Sequence, residues 1–209
     1  MIVCKALSLL MSYPDEQLIE GLPQLQEVLQ DAGLFDNKMA QLFGILRADD
    51  IIDAQELYVE FVDRGKGTSL YLFEHLLGVS KDRGMAMVNL KEHYESCGFA
   101  LGERELPDYL PVVLEFASSL ETEHKAVSFI KETEHIIQSV YSQHLAKQSP
   151  WAVVIGAVLT ICGMELESIP PTKAEVIDID KEWAEEPVEF SGSNCSDTCS
   201  STCATTTHK

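Results

Sequence analysis

Three cysteines and a histidine near the end of the chain come nearest, by residue type and spacing, to a metal site. Cys195, Cys199 and Cys203 recur every four residues, and His208 follows them. Thiolates and imidazole bind zinc, and this spacing would align the three thiols on one face of a helix. Two features argue against zinc: structural sites usually use C-x2-C pairs, and the surrounding Ser, Thr and Gly residues disfavour helix. A tail of reduced thiols is the alternative.

A glycine-rich segment at residues 65–69, with the sequence Gly-Lys-Gly-Thr-Ser, resembles the end of a phosphate-binding loop. The full G-x-x-x-x-G-K-[ST] spacing is absent, and no strand pattern precedes the segment. We therefore interpret Gly65 and Gly67 as a hinge between two helices, with Thr68 or Ser69 capping the second helix.

Charged and aromatic residues crowd around this hinge, namely Phe61, Asp63, Arg64, Lys66, Tyr71 and Phe73. Charge beside aromatic surface is what a peptide-binding groove requires. The six histidines form no H-E-x-x-H pair. Of these, His75 is distinguished by its place just after the hinge, where a structural role and a ligand contact are alternatives.

A second informative stretch covers residues 103–116. Pro107 suits the first turn of a helix, and Asp108 places negative charge at the positive end of that helix. A well-started helix does not explain why Glu105, Tyr109 and Pro111 accompany them. Nowhere do a nucleophile, a base and an orienting group stand at a recognisable spacing, so we predict that the protein is not an enzyme.

Composition narrows the classes of partner. The 209 residues are 45% hydrophobic and include 34 acidic and 15 basic side chains, for a net charge of -19. This acidity argues against binding to nucleic acid or anionic lipid. The longest apolar run, residues 151–163, is shorter than the ~20 residues that cross a bilayer. The N-terminus lacks the features of a signal peptide, so we expect a cytoplasmic protein without direct membrane insertion.

Helical periodicity extends to about residue 164 and predicts an all-α fold. Residues Leu18, Leu22, Leu25 and Leu29 form one apolar stripe on a helix that starts at Asp15, although a proline at position 23 predicts a kink or a boundary. Further helices are predicted at residues 36–47, 50–64, 69–77, 80–97, 107–120, 122–147 and 151–164. With an N-terminal helix, this makes a single compact domain of eight or nine helices over residues 1–164.

The remaining residues, 165–209, differ in composition from this domain. Residues 165–190 carry nine acidic side chains, two lysines and three prolines, and Ser, Thr, Cys and Gly dominate after residue 190. Such a segment buries little apolar surface, so we expect a flexible acidic tail.

Three segments together resemble one known family. They read Tyr58-x-x-Phe61-x-Asp63-Arg64-Gly65-x-Gly67-Thr68-Ser69-Leu70-x-Leu72-Phe73-Glu74-His75, Asp82-Arg83-Gly84-x-Ala86-Met87, and Glu105-Leu106-Pro107-Asp108-Tyr109-Leu110-Pro111. In order and spacing they are similar to the NarJ family, the assembly chaperones of respiratory nitrate reductase. That family is a branch of the TorD and DmsD group of molybdoenzyme chaperones, and the similarity extends from residue 9 to about residue 164.

This resemblance implies an all-helical, non-catalytic chaperone in the cytoplasm. Its partner would be the nitrate reductase catalytic (alpha) subunit, bound in the apo state through its N-terminal peptide. The chaperone would bind no cofactor stably, but would assist insertion of the molybdenum bis-guanine-dinucleotide cofactor into the client. It would leave before the mature enzyme works, and cofactor-biosynthesis proteins would be further partners.

Carried onto this sequence, the resemblance implies a client-peptide groove. Its candidate residues are Tyr58, Phe61, Asp63, Arg64, Leu70, Phe73, His75, Glu105, Pro107, Asp108, Tyr109 and Leu110, with Gly65 and Gly67 as the hinge. We expect an amphipathic client helix to pack apolar residues on the aromatic side chains, while Glu105 and Asp108 attract its basic residues. High salt should then slow binding.

One position departs from the family pattern, because relatives commonly have histidine where this chain has Tyr109. A phenol with a reference pKa of ~10 does not titrate near neutrality, so pH-tuned client binding cannot use this side chain. Two alternatives stay open for the function. One is a chaperone of another molybdoenzyme, such as a sulfoxide or amine-oxide reductase. The other is a metal- or thiol-handling protein that acts through the cysteine-rich tail.

Overall fold

The computed structural model describes residues 2–48, 50–65, 67–77, 81–102 and 105–169. Within these ranges the protein has ten α-helices and no β-strand, which confirms the all-α prediction. In chain order the helices are α1 (Ile2–Leu10), α2 (Glu16–Asp31), α3 (Asn37–Leu46), α4 (Ile51–Tyr58), α5 (Leu72–Leu77), α6 (Lys81–Ser96), α7 (Leu110–Ser119), α8 (Glu123–Glu132), α9 (Glu134–Ala146) and α10 (Ala152–Ile161). A π-helical segment (Val59–Asp63) continues α4, and a 3-10 turn (Leu166–Ser168) follows α10.

Side-chain caps fix several helix starts where the sequence predicts them. A carboxylate oxygen of Asp15 accepts a hydrogen bond from the Leu18 amide at 2.7 Å, and Asp36 accepts from Met39 at 2.8 Å. The Thr122 hydroxyl accepts from the Lys125 amide at 3.3 Å. Each bond satisfies an amide that a helix N-terminus otherwise leaves unpaired.

One long-helix prediction needs correction, and another is narrowed. The single helix predicted at residues 122–147 is two, because Thr133 leaves helical geometry and its hydroxyl donates to the Ile130 carbonyl at 3.0 Å. α2 continues through Pro23, so this proline does not mark a helix boundary. The kink, which was the alternative, stays a prediction. The extra helix at Thr133 accounts for ten helices instead of eight or nine.

The start of α7 is also later than the sequence indicates. Pro107 and Asp108 lie in a turn before the helix, which begins at Leu110, and Pro111 occupies the first helical turn. Proline in the first turn costs no hydrogen bond, because its amide position is unpaired there in any case. The side chain of Asp108 is therefore free of a capping role in α7 and is used elsewhere.

The core is built around α1, α7 and α10. α1 packs along α7 and contacts α2 and α10, while α9 packs against α10. Buried polar bonds join these elements: the Trp151 indole donates to the Leu10 carbonyl at 3.1 Å, and the Ser8 hydroxyl donates to the Pro111 carbonyl at 2.7 Å. The Lys5 ammonium also pairs with Glu115 across α1 and α7.

A smaller aromatic cluster joins α6, α7 and α8. Tyr94 and Phe116 are fully buried, with ring centroids 4.3 Å apart, and Phe99 and Phe129 pack around them. This cluster fixes α6 against the segment that precedes α7. The packed chain continues beyond α10, since Ile169 is buried against the core.

The predicted tail and its cysteines, Cys195, Cys199 and Cys203 with His208, lie outside the described residues apart from residues 165–169. The boundary at residue 164 stays a prediction. Of the other cysteines, Cys4 and Cys162 are buried and Cys97 is exposed. Burial raises the thiol pKa of both Cys4 and Cys162 to about 11, so these thiols remain protonated at neutral pH.

Candidate functional site

Two sequence segments that the motif analysis singled out are hydrogen-bonded to each other. The Leu110 amide donates to the Leu70 carbonyl at 2.9 Å, and the Leu72 amide donates to the Asp108 carbonyl at 2.9 Å. Tyr71 and Tyr109 thus face each other in an isolated antiparallel bridge. This bridge, which we call the 71/109 junction, holds the segment before α5 beside the segment before α7.

Asp108 is fully buried beneath this junction. Its Oδ2 accepts a hydrogen bond from the Phe73 amide at 3.1 Å and lies 3.7 Å from Nη2 of Arg83. Its Oδ1, and Nε of the same arginine, have no hydrogen-bond partner among the described residues. Burial raises the pKa of the Asp108 carboxyl, against the lowering effect of the Phe73 amide and Arg83.

Arg83 connects the buried carboxylate to the surface. Its Nη2 also lies 3.4 Å from Oε1 of Glu74, and the other carboxylate oxygen of Glu74 accepts from the Ser69 hydroxyl at 2.6 Å. A chain of polar contacts therefore links the α6 residue Arg83 to the loop before α5.

Three tyrosines line the other side of the junction. The Tyr58 hydroxyl donates to the Met11 carbonyl at 2.7 Å and lies 3.1 Å from the Tyr109 hydroxyl. Because Tyr58 has one proton to donate, Tyr109 is the donor in the bond between them. The Tyr71 and Tyr109 rings lie 5.0 Å apart. Burial raises the pKa of all three phenols, so they stay neutral at physiological pH.

The glycine-rich segment is held by a buried histidine that the sequence analysis did not single out. Nε2 of His144 donates to the Thr68 carbonyl at 3.0 Å, so Nδ1 accepts from the Ser149 hydroxyl at 2.9 Å. Desolvation lowers the pKa of His144 to about 4. The histidine is therefore neutral at pH 7 and joins the segment before α5 to the end of α9.

Gly65 is required there for space. A methyl group at this position would lie 1.9 Å from the Thr68 hydroxyl and 2.8 Å from the Lys147 ammonium. At Gly67 the nearest contact would be the Gln143 side chain at 3.3 Å. A hinge function of Gly65 and Gly67 stays a prediction. Close packing alone accounts for a glycine at position 65.

The predicted client-binding residues divide by accessibility. Buried are Tyr58, Leu70, Pro107, Asp108 and Leu110; half-buried are Phe61, Phe73, His75 and Tyr109; exposed are Asp63, Arg64 and Glu105. The first group positions the junction, and a client would contact it only after local rearrangement. The other seven are available for contact in this conformation. Nε2 of His75 is already bonded to the Ser69 carbonyl at 2.8 Å.

Sequence reasoning gave no role to three residues that build this region: Arg83, Tyr94 and His144. The Tyr94 hydroxyl donates to the Pro107 carbonyl at 2.9 Å, which fixes the turn before α7. The local sequence around Tyr94 does not reveal a partner 13 positions away. His144 follows an apolar helix face, which predicts burial but not its bond to Thr68.

No group of three His, Cys, Asp or Glu residues suited to a metal ion occurs in the part of the chain that the structure describes. The candidate cysteine site lies outside that part. Across the same residues, none of the helices has both the length and the apolar content needed to cross a membrane.

Comparison with known proteins identifies the family. The profile of the nitrate reductase delta subunit family matches residues 14–155, which include the 71/109 junction and both segments that form it. The chain belongs to this family. The delta subunit family assignment agrees with the resemblance inferred from the three motifs, and the NarJ prediction is confirmed.

Curated relatives match most of the chain. It is 33% identical to the nitrate reductase molybdenum cofactor assembly chaperone NarJ of Escherichia coli K12, over 95% of this chain and 89% of that protein. It is 35% identical to the probable assembly chaperone NarW of the same organism, over 93% of this chain and 86% of the relative. The probable NarJ of Bacillus subtilis is 36% identical over 65% of this chain and 74% of its own. These delta subunit family relatives carry chaperone names, which fits the prediction of a protein that is not an enzyme.

Proposed function

We propose that this protein is the assembly chaperone of a respiratory nitrate reductase. It binds the N-terminal segment of the apo catalytic (alpha) subunit in the cytoplasm and supports insertion of the molybdenum bis-guanine-dinucleotide cofactor. It then leaves, so it is not part of the mature enzyme and holds no cofactor of its own. The similarity to NarJ and NarW over more than nine-tenths of the chain is the observation that carries this proposal.

The geometry suits peptide binding better than catalysis. Half-buried Phe61, Phe73 and Tyr109 offer apolar contact, and exposed Asp63 and Glu105 offer negative charge to a basic client segment. The buried bonds of Asp108, Tyr58 and Tyr94 hold the backbone beneath these side chains, which lowers the entropy lost on binding.

Calorimetric titration tests the client assignment. The probe is a synthetic peptide of the first fifteen or so residues of the nitrate reductase catalytic subunit from the same genome. We expect saturable binding to wild type, and binding at least about tenfold weaker to Phe73→Ala, because lost apolar contact of one aromatic side chain exceeds 1.4 kcal/mol.

Met85→Ala is the matched control, because Met85 is a large exposed apolar residue on α6 outside the predicted groove. Its affinity should stay within twofold of wild type. Absence of saturable binding to a wild-type protein with a helical spectrum would overturn the proposed client contact.

A further inference from the structure

A groove lies between the end of α1, the start of α2 and the exposed face of α4. It consists of two concavities of about 720 and 610 Å³ that both include Tyr13 in their walls. We call it the Tyr13 groove. Its size is in the range of sites that bind ligands or anchor side chains. Of the client-binding residues predicted from sequence, only Arg64 is among its described lining residues.

Exposed apolar side chains concentrate in this groove. Among the described residues, seven large apolar side chains are exposed, and Leu9, Tyr13 and Ile52 are the three of them that line it. Their exposed fractions are 38%, 47% and 53%. Clustered apolar exposure of this kind marks interaction surfaces, whereas single exposed residues do not.

Contacts with the core hold the lining of the Tyr13 groove in place. The Tyr13 ring packs edge-on against buried Tyr58, with centroids 5.6 Å apart. The Gln55 amide donates to the Pro14 carbonyl at 2.8 Å and ties α4 to the turn between α1 and α2. Because both walls are fixed to the core, an incoming segment would find the apolar residues already in place.

The rim is acidic. Glu56 and Glu60 line the first concavity, and Asp15 and Glu20 line the second. Arg64 is the single basic residue among their described lining residues. On α4 and its π-helical continuation, Ile52, Glu56 and Glu60 recur at every fourth position, so one face presents an apolar residue beside two carboxylates.

We propose that the Tyr13 groove is a docking site for an amphipathic helix of a partner protein that carries lysine or arginine beside its apolar face. The exposed apolar side chains Leu9, Tyr13 and Ile52 complement the apolar face of such a helix, and the acidic rim complements its basic residues. A second copy of this chain fits less well, because its net charge of -19 would bring like charges together. This surface goes beyond the client contact proposed above and does not depend on it.

A charge-swap titration tests the proposal on the full-length protein. The probe is a synthetic 18-residue helical peptide with leucines along one face and lysines flanking them. A comparison peptide has glutamate in place of every lysine. Wild type should bind the lysine peptide saturably, and Phe73→Ala, which weakens the client groove, should leave that binding within twofold of wild type. E56K/E60K should weaken that binding at least tenfold and should gain binding of the glutamate peptide. I52D should also weaken binding of the lysine peptide at least tenfold.

E92K/E132K is the matched control, because it makes the same change in net charge at two exposed residues of α6 and α8. Its affinity should stay within twofold of wild type. All five side chains altered in the groove variants and this control are exposed, and circular dichroism should show the wild-type helical content in each variant. Equal weakening by the control, or no effect of the groove variants, would overturn the proposal. So would a wild-type dimer in sedimentation that I52D disperses, since a second copy would then occupy the groove.

Discussion

At the scale of single residues, His144 makes stability depend on pH. The folded protein holds this imidazole neutral with a pKa of about 4, whereas an unfolded chain has a histidine pKa near ~6.5. Between these values the unfolded state binds more protons, so stability falls as pH falls through that window. From pH 7 to pH 5 the loss should be about 2 kcal/mol, measured by urea unfolding.

His144→Gln should remove this pH dependence, because glutamine has no proton to gain and its amide can still donate toward the Thr68 carbonyl. The control His135→Gln changes an exposed histidine on α9 and should keep the wild-type dependence. If the unfolding free energy of His144→Gln fell between pH 7 and pH 5 as much as that of wild type, this histidine would not be the source of the pH dependence.

Asp108 supports the 71/109 junction from within. Asp108→Ala leaves the Phe73 amide without its acceptor and Arg83 without its buried partner, so it should cost about 1–3 kcal/mol of unfolding free energy. Asp108→Asn should cost less, because the amide oxygen can still accept from Phe73. Urea unfolding measures both, with exposed Asp31→Ala within ~0.5 kcal/mol of wild type as control. An alanine variant as stable as wild type would contradict this role.

At the scale of elements, the absence of a side chain at Gly65 allows the loop before α5 to approach α9 closely. Gly65→Ala would place a methyl group against the Thr68 hydroxyl and the Lys147 ammonium, and overpacking of this kind costs about 1–3 kcal/mol. Gly44→Ala is the matched comparison, because nothing lies within 4 Å of the added carbon in α3. Gly44→Ala should raise the free energy of unfolding by about 0.5–1 kcal/mol, whereas Gly65→Ala should lower it. Thermal unfolding of both variants measures these opposite changes. Equal effects would rule out a steric role for Gly65.

The helices were predictable from the periodicity of apolar residues in the sequence, whereas the breaks within them were not. The leucine stripe of α2 and the caps at Asp15 and Asp36 follow from local rules, so those helices form where predicted. The division at Thr133 and the π-helical turn at Val59–Asp63 depend on bonds such as Arg64 amide to Val59 carbonyl. An apolar pattern does not distinguish i+4 from i+5 bonding over one turn.

For the whole molecule, the motifs indicated a candidate site but not how deeply its residues are buried. The family resemblance assigned residues of segments 58–75 and 105–111 to one candidate site, and the 71/109 junction joins the two segments. Burial of Asp108, Tyr58 and Leu110 depends on packing by α1, α6 and α7, which no local pattern records. The Tyr13 groove was missed for the same reason, because its walls come from three separate elements.

The central proposal is that this protein supports insertion of the molybdenum cofactor into nitrate reductase and is absent from the mature enzyme. The most direct measurement is the molybdenum content per catalytic subunit of nitrate reductase purified from cells of the source organism that lack this gene, with and without a plasmid copy. We predict catalytic subunit largely devoid of molybdenum without the gene, full content with the wild-type copy, and no copy of this chain in the mature enzyme. Enzyme with normal molybdenum content in its absence would contradict the account.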